Sequence, residues 1–112
     1  MNSPFRKIRK ARVLKNGAVA GYLVSNRSRF VFFYNRDYLA NGGASIAINL
    51  PKSKKIFSSR RLFPFFAGLL PEGESRQAIC RSLKLNPSNK LDMLLALAQG
   101  ETIGDITVQE VK

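Results

Sequence analysis

Few residues in this chain are equipped for covalent chemistry. Histidine is absent, so no side chain titrates near neutrality in its ordinary state. The single cysteine, Cys80, has no imidazole to deprotonate it. It belongs to the series Arg76, Ile79, Cys80, Leu83, whose i, i+3, i+4, i+7 spacing predicts a helix over 74–84 with the thiol in the core. One cysteine also excludes an intrachain disulfide and any Cys/His zinc site, and it fits a reducing, cytoplasmic compartment. Among the seven acids, Glu72 and Glu74 stand where that helix begins, which suits its dipole better than an acid–base pair. Asn41-Gly42-Gly43-Ala44 lacks the Lys-Ser/Thr of a phosphate loop and reads as a turn. The expectation is a binding protein with no catalytic residues, no cofactor and no metal.

Binding chemistry is better represented. The 112 residues carry 19 Lys+Arg against 7 Asp+Glu, a formal charge of +12, and the excess is uneven. Residues 1–61 hold fourteen cations and one acid, Asp37, whereas residues 62–112 are close to neutral. Arg6, Lys7, Arg9, Lys10, Arg12 and Lys15 form one basic group; Lys52, Lys54, Lys55, Arg60 and Arg61 form another. Either suits phosphates or an acidic protein face. No segment reaches the ~18–20 apolar residues needed to span a bilayer, and no membrane partner is expected. A third candidate is Leu62-Phe63-Pro64-Phe65-Phe66, with three phenylalanines in four residues around a proline. Either all three rings lie under a sheet, or one or two stay exposed to a protein partner.

The elements that must position these groups follow from periodicity. Asn16-Gly17 between apolar runs predicts a type I′ hairpin joining strands near 7–15 and 18–25. Phe30-Val31-Phe32-Phe33-Tyr34 is apolar on both alternating faces. Such a strand belongs in the middle of a sheet, or has its second face covered by helices or by a partner. Ile46–Leu50 reads as a strand stopped by Pro51, and 52–61 as a loop with at most a short strand. A second helix follows from Leu91, Leu94, Leu95 and Ala98, with Asn86 as cap, Pro87 in its first turn and Gly100 closing it. Asp105–Val111 alternates as a closing strand. Strands, helices, then one strand make an α+β domain. Residues 1–11 read as a basic arm and 12–112 as one domain.

The stretch Phe65-Phe66-Ala67-Gly68-Leu69-Leu70-Pro71-Glu72-Gly73-Glu74-Ser75-Arg76 resembles the FF-x-x-LLPEG-x-x-R signature of the HipA N-terminal subdomain. The hairpin Leu14–Leu23, the strand Tyr34–Leu39 and the closing Leu94–Asp105 are similar to further parts of that family, so the likeness covers roughly 12–111. It implies a small antiparallel, partly barrel-like sheet packed with two to three helices. HipA proteins are serine/threonine kinase toxins whose catalytic residues lie downstream of this subdomain. A free-standing copy is similar to the HipS antitoxins of three-component HipBST systems. The resemblance therefore implies an antitoxin that binds a HipT-like kinase, alongside a HipB-like helix-turn-helix protein that holds DNA.

On that basis the expected kinase-binding residues are Phe63, Pro64, Phe65, Phe66, Leu69, Leu70, Pro71, Glu72 and Gly73. Phe63 is the expected inserting ring, with Phe65 and Phe66 in the core. The accessory basic surface is Arg6, Lys7, Arg9, Lys10, Arg12, Lys54, Lys55, Arg60 and Arg61. The alternative is a nucleic-acid-binding or scaffold component that links the kinase to an operator-bound HipB-like protein.

Overall fold

The computed structural model describes residues 8–26, 29–86, 89–98, 102–103 and 105–111. Strand β1 (Arg9–Lys15) and strand β2 (Ala18–Ser25) form the expected hairpin. Asn16 and Gly17 both take positive φ, 51° and 84°, as a type I′ turn demands. Strand β3 (Phe30–Tyr34) pairs with β2 and with β4 (Ile56–Ser59). The chain closes with β5 (Thr102–Ile103) and β6 (Ile106–Val111), the latter pairing with β1. The antiparallel order β4-β3-β2-β1-β6-β5 leaves the sheet open, ending at β4 and β5 rather than closing into a barrel. Four helices accompany it among the described residues: α1 (Arg36–Ala40), α2 (Pro64–Ala67), α3 (Gly73–Leu83) and α4 (Lys90–Ala98). The α+β class stands.

Register sorts the side chains. Leu23, Phe32 and Phe57 lie side by side on one face, with Ala11 and Val13 on β1 and Ile106 and Val108 on β6. These are buried, and α4 covers them with Leu91, Met93, Leu94 and Leu95. Phe32 is fully buried at the centre, 5.0 Å from the Tyr34 ring and 5.8 Å from Phe66. Its ring lies over Gly21, where an added Cβ would sit 2.8 Å from Phe32 Cζ and 2.4 Å from the Phe33 carbonyl oxygen.

Between β1 and β2 the register slips at Val13/Leu14, leaving Ala20 as the extra residue of a bulge. Asn35 takes up the freed carbonyls: its backbone N–H donates to Ala20 O at 2.7 Å and its Nδ2 to Val19 O at 3.1 Å. This anchors α1, which turn chemistry alone did not announce, against β2.

Several expectations need correction. β1 already begins at Arg9, so Arg9, Lys10 and Ala11 belong to the sheet and not to an arm; Arg6 and Lys7 lie outside the described residues. Ile46–Leu50 is no strand but a tight turn with one bridge, Ala47 to Leu50. The Tyr34 hydroxyl holds it, accepting from Ile46 N–H at 3.0 Å and donating to Leu50 O. Burial pushes the phenol's pKa up. The cap of α4 is Asn89, whose Oδ1 accepts from Asp92 N–H at 3.0 Å, not Asn86. Pro87, Gly100, Glu101 and Gly104 lie outside the described residues. In α3 Cys80 is buried as expected, but Leu83 is 46 % exposed. The left-handed Lys84 (φ 58°) reverses the chain there, and Leu85 packs against the core instead.

Two substitutions test this core. Gly21→Ala should destabilise the fold by about 1–3 kcal/mol through overpacking on Phe32 and the β3 backbone. Tyr34→Phe should cost about 1–3 kcal/mol by orphaning buried turn groups, read as a lower urea midpoint with an unchanged slope.

Candidate functional site

The aromatic segment is built into the core. Pro64 starts α2, where its missing N–H costs nothing. Phe63 precedes it in extended conformation and is only 6 % exposed, and Phe66 is fully buried. Phe66 meets Phe65 edge-on at 5.2 Å and Phe63 at 6.4 Å, beneath the Phe32 ring. Phe63 is therefore not the protruding ring. It lies under the helix it introduces, because the turn at Pro64 directs it and Phe66 inward together. Phe65, expected in the core, is only half-buried.

The rest of the signature has a structural explanation. Leu70 is buried, and the Pro71 carbonyl accepts a hydrogen bond from Arg76 Nε at 2.9 Å. Gly73 has φ 60°, a left-handed conformation that favours glycine, as the chain turns into α3. The proline, glycine and arginine thus fix the junction between α2 and α3. What the segment offers to a partner is a narrow ridge: Pro64 exposed, with Phe65, Leu69 and Pro71 half-buried. Phe65 and Leu69 sit about one helical turn apart, and Glu72 and Gly73 are exposed beyond them.

The basic residues separate by face. Arg9 points to the core side, where Nε donates to Glu110 Oε2 at 3.0 Å and Nη1 to Asp92 Oδ1. Its hydrogen bond to Glu110, with help from Asp92, raises the guanidinium pKa further, and it ties β1, β6 and α4 together. Lys15 on the same side bonds Asp105 at 2.6 Å, which holds that carboxyl below its ordinary range. Lys10 and Arg12 project from the opposite face. Lys10 Nζ lies 4.8 Å from the Tyr22 ring centre, and Arg12 Nη1 donates to Gln109 Oε1 at 3.3 Å. Lys54 reaches over Phe57 at 5.4 Å, while Lys55, Arg60 and Arg61 are exposed along β4 and its flanks.

That opposite face was not singled out as a site, although the doubly apolar strand at 30–34 signalled it. Pairing aligns Gln109, Arg12, Tyr22, Phe33 and Ile56 in one row across five strands, with Val111, Lys10, Val24, Val31 and Ser58 in the next. Tyr22 and Phe33 are half-buried with ring centres 5.5 Å apart, and Ile56 is 59 % exposed. Helices α2 and α4 pack on the other face. At one end α1 rises beside the rings, and a groove of about 620 Å³ opens between Tyr22, Phe33, Leu39, Ile56 and the cations Arg36 and Lys55.

Comparison with known proteins fits this geometry. Residues 11–109 match the HipA N-terminal domain family. The chain belongs to that family. A solved structure of the N-terminal domain of HipA toxin superposes with a TM-score of 0.73 at 25% identity, covering 100% of this chain and 98% of that one. An uncharacterised protein of Haemophilus influenzae is 31% identical over 106 residues, 94% of this chain and 95% of its own length. A Sinorhizobium fredii protein named as a putative kinase is 30% identical over 89 residues, 78% of this chain but only 21% of its own. In this HipA N-terminal domain the LLPEG signature forms the junction between α2 and α3, with Leu70 buried and Leu69 and Pro71 half-buried. Among the described residues no helix is long and apolar enough to cross a membrane.

The burial difference predicts unequal costs. Phe63→Ala should lose about 3–5 kcal/mol of folding stability, as a large core truncation does. Phe65→Ala should lose less than half as much, which urea unfolding of the two variants would show.

Proposed function

We propose that this HipA N-terminal domain is an antitoxin of the cytoplasm that binds a HipA-like serine/threonine kinase and restrains it by occupancy, with no catalysis of its own. The observation that carries the reading is how the domain recurs. It makes up about a fifth of the Sinorhizobium protein named as a kinase, yet it spans nearly the whole of the Haemophilus relative. A fold that accompanies a kinase in one chain has a surface suited to pairing with one across chains.

The ridge formed by α2 and the turn that follows it is the docking surface. Pro64, Phe65, Leu69 and Pro71 stand on buried Phe63, Phe66 and Leu70, so the apolar surface is held rigid before binding and little ordering entropy is lost. The net charge of +12 speeds approach to an acidic kinase face. Exposed Arg60 and Arg61, which directly precede the ridge segment, support the second reading: a scaffold whose cations touch DNA held by a HipB-like protein.

Co-expression with the HipA-type kinase of the same genome tests both. The antitoxin should rescue growth and co-purify with the kinase. Phe65→Ala combined with Leu69→Ser, still folded by circular dichroism, should lose at least tenfold in affinity, whereas Arg60→Gln with Arg61→Gln should rescue fully. Full rescue by the folded ridge variant overturns the docking surface. Absence of both binding and rescue by the wild-type chain overturns the antitoxin reading, and binding without rescue favours the scaffold.

A further inference from the structure

The face of the sheet turned away from α2 and α4 is open among the described residues apart from α1 at one end, and it carries aromatic and cationic side chains together. We propose that it binds single-stranded nucleic acid, with Tyr22 and Phe33 stacking bases and Lys10, Arg12, Arg36 and Lys55 holding phosphates.

Three observations support this. The two rings lie side by side on adjacent strands, 5.5 Å apart and inclined by 31°, a platform of the kind on which successive bases stack. The cations flank it on both sides. Lys10 and Arg12 stand on β1, while Lys55 and Arg36 border the groove beside Phe33. From β1 to β4 is three strand spacings, roughly 14 Å, enough for a short run of nucleotides. Finally, no carboxylate enters the two central rows, which are filled by Gln109, Val111, Val24, Val31, Ile56 and Ser58 besides the residues named. Asp92, Asp105 and Glu110 meet Arg9 and Lys15 on the other side.

A protein partner fits less well, because the centre of a protein interface is depleted of charge, lysine included. Here Lys10 sits on the Tyr22 ring itself. A duplex also fits poorly, because its bases are already stacked and unavailable to the rings. The groove of about 620 Å³ beside Phe33 falls within the ~300–1,000 Å³ of small-ligand sites and takes one splayed base.

Fluorescence anisotropy with a labelled twelve-nucleotide RNA, the same sequence as DNA, and its duplex tests the proposal on the full chain. Both single strands should bind more tightly than the duplex. Affinity should fall with salt along a log–log slope of about −3, as release of counterions from about four phosphates requires. Tyr22→Leu and Phe33→Leu should each weaken binding about tenfold and leave that slope unchanged. Lys10→Gln and Arg12→Gln should each make it shallower by about 0.7. The two lysine and arginine variants replace surface groups, so they decide the matter should a leucine variant fail to fold. Equal affinity for duplex and single strands, or slopes indifferent to Lys10 and Arg12, would overturn the proposal. So would loss of kinase co-purification in Tyr22→Leu with oligonucleotide affinity unchanged, since that outcome assigns the face to a protein.

Discussion

The ring of Phe32 lies over the bare Cα of Gly21 and meets Tyr34, Phe57 and Phe66 around its edge. Each neighbour commits a different part of the chain. Tyr34 pins the 46–50 turn through its hydroxyl, Phe57 brings in the edge strand β4, and Phe66 brings in α2 and with it the junction to α3. A side chain at position 21 would lift Phe32 and loosen all three together. The small size of the domain sharpens this dependence, since a chain of about a hundred residues has one core and no second one to compensate.

A core confined to one face of the sheet also explains how the charge is distributed. Carboxylates are scarce, and those of β6, α4 and the turn before β6 face Arg9 and Lys15 on the packed side, where half-buried ion pairs join elements distant in sequence. Pairing of this kind is worth little per bond when exposed, but Arg9 bridges two carboxylates from two elements and so fixes α4 against the sheet. Lys10 and Arg12, one residue along the same strand from Arg9 and Ala11, project from the other face, where no carboxylate stands in their own cross-strand rows. Strand alternation alone thus turns one run of basic residues into a structural half and a surface half.

Much of the architecture was legible because it rests on local rules. Asn16-Gly17 specifies its turn, Phe30–Tyr34 its interior strand, and the leucines of 91–95 their helix. The losses occurred where tertiary contacts decide. Ile46–Leu50 alternates like a strand, but the buried Tyr34 hydroxyl takes its backbone groups and leaves no ladder to join. The α1 helix depends on Asn35 answering a bulge twelve or more residues earlier, which no window of sequence shows. For the aromatic segment, composition marked the importance of 63–66 but not its direction. Three rings around a proline are equally compatible with either inward or outward placement until the helix phase set by Pro64 is known.

That phase bears on how the two surfaces relate. Phe66 enters the core from the packed side of the sheet, so the ridge of Pro64, Phe65 and Leu69 rides on the layer that covers Phe32, whereas Tyr22 and Phe33 point the other way. The full thickness of the sheet separates them. A kinase seated on the ridge would leave the aromatic and basic face open, and a nucleic acid on that face would leave the ridge open. Coupling between the two sites would have to pass through Phe32, whose strand carries Phe33 and whose ring touches Phe66. That ring is fully buried between Gly21 and three aromatic neighbours, a close packing that resists the rearrangement such coupling needs. The physical expectation is two sites that fill independently, which would let one small domain hold a protein and a polyanion together.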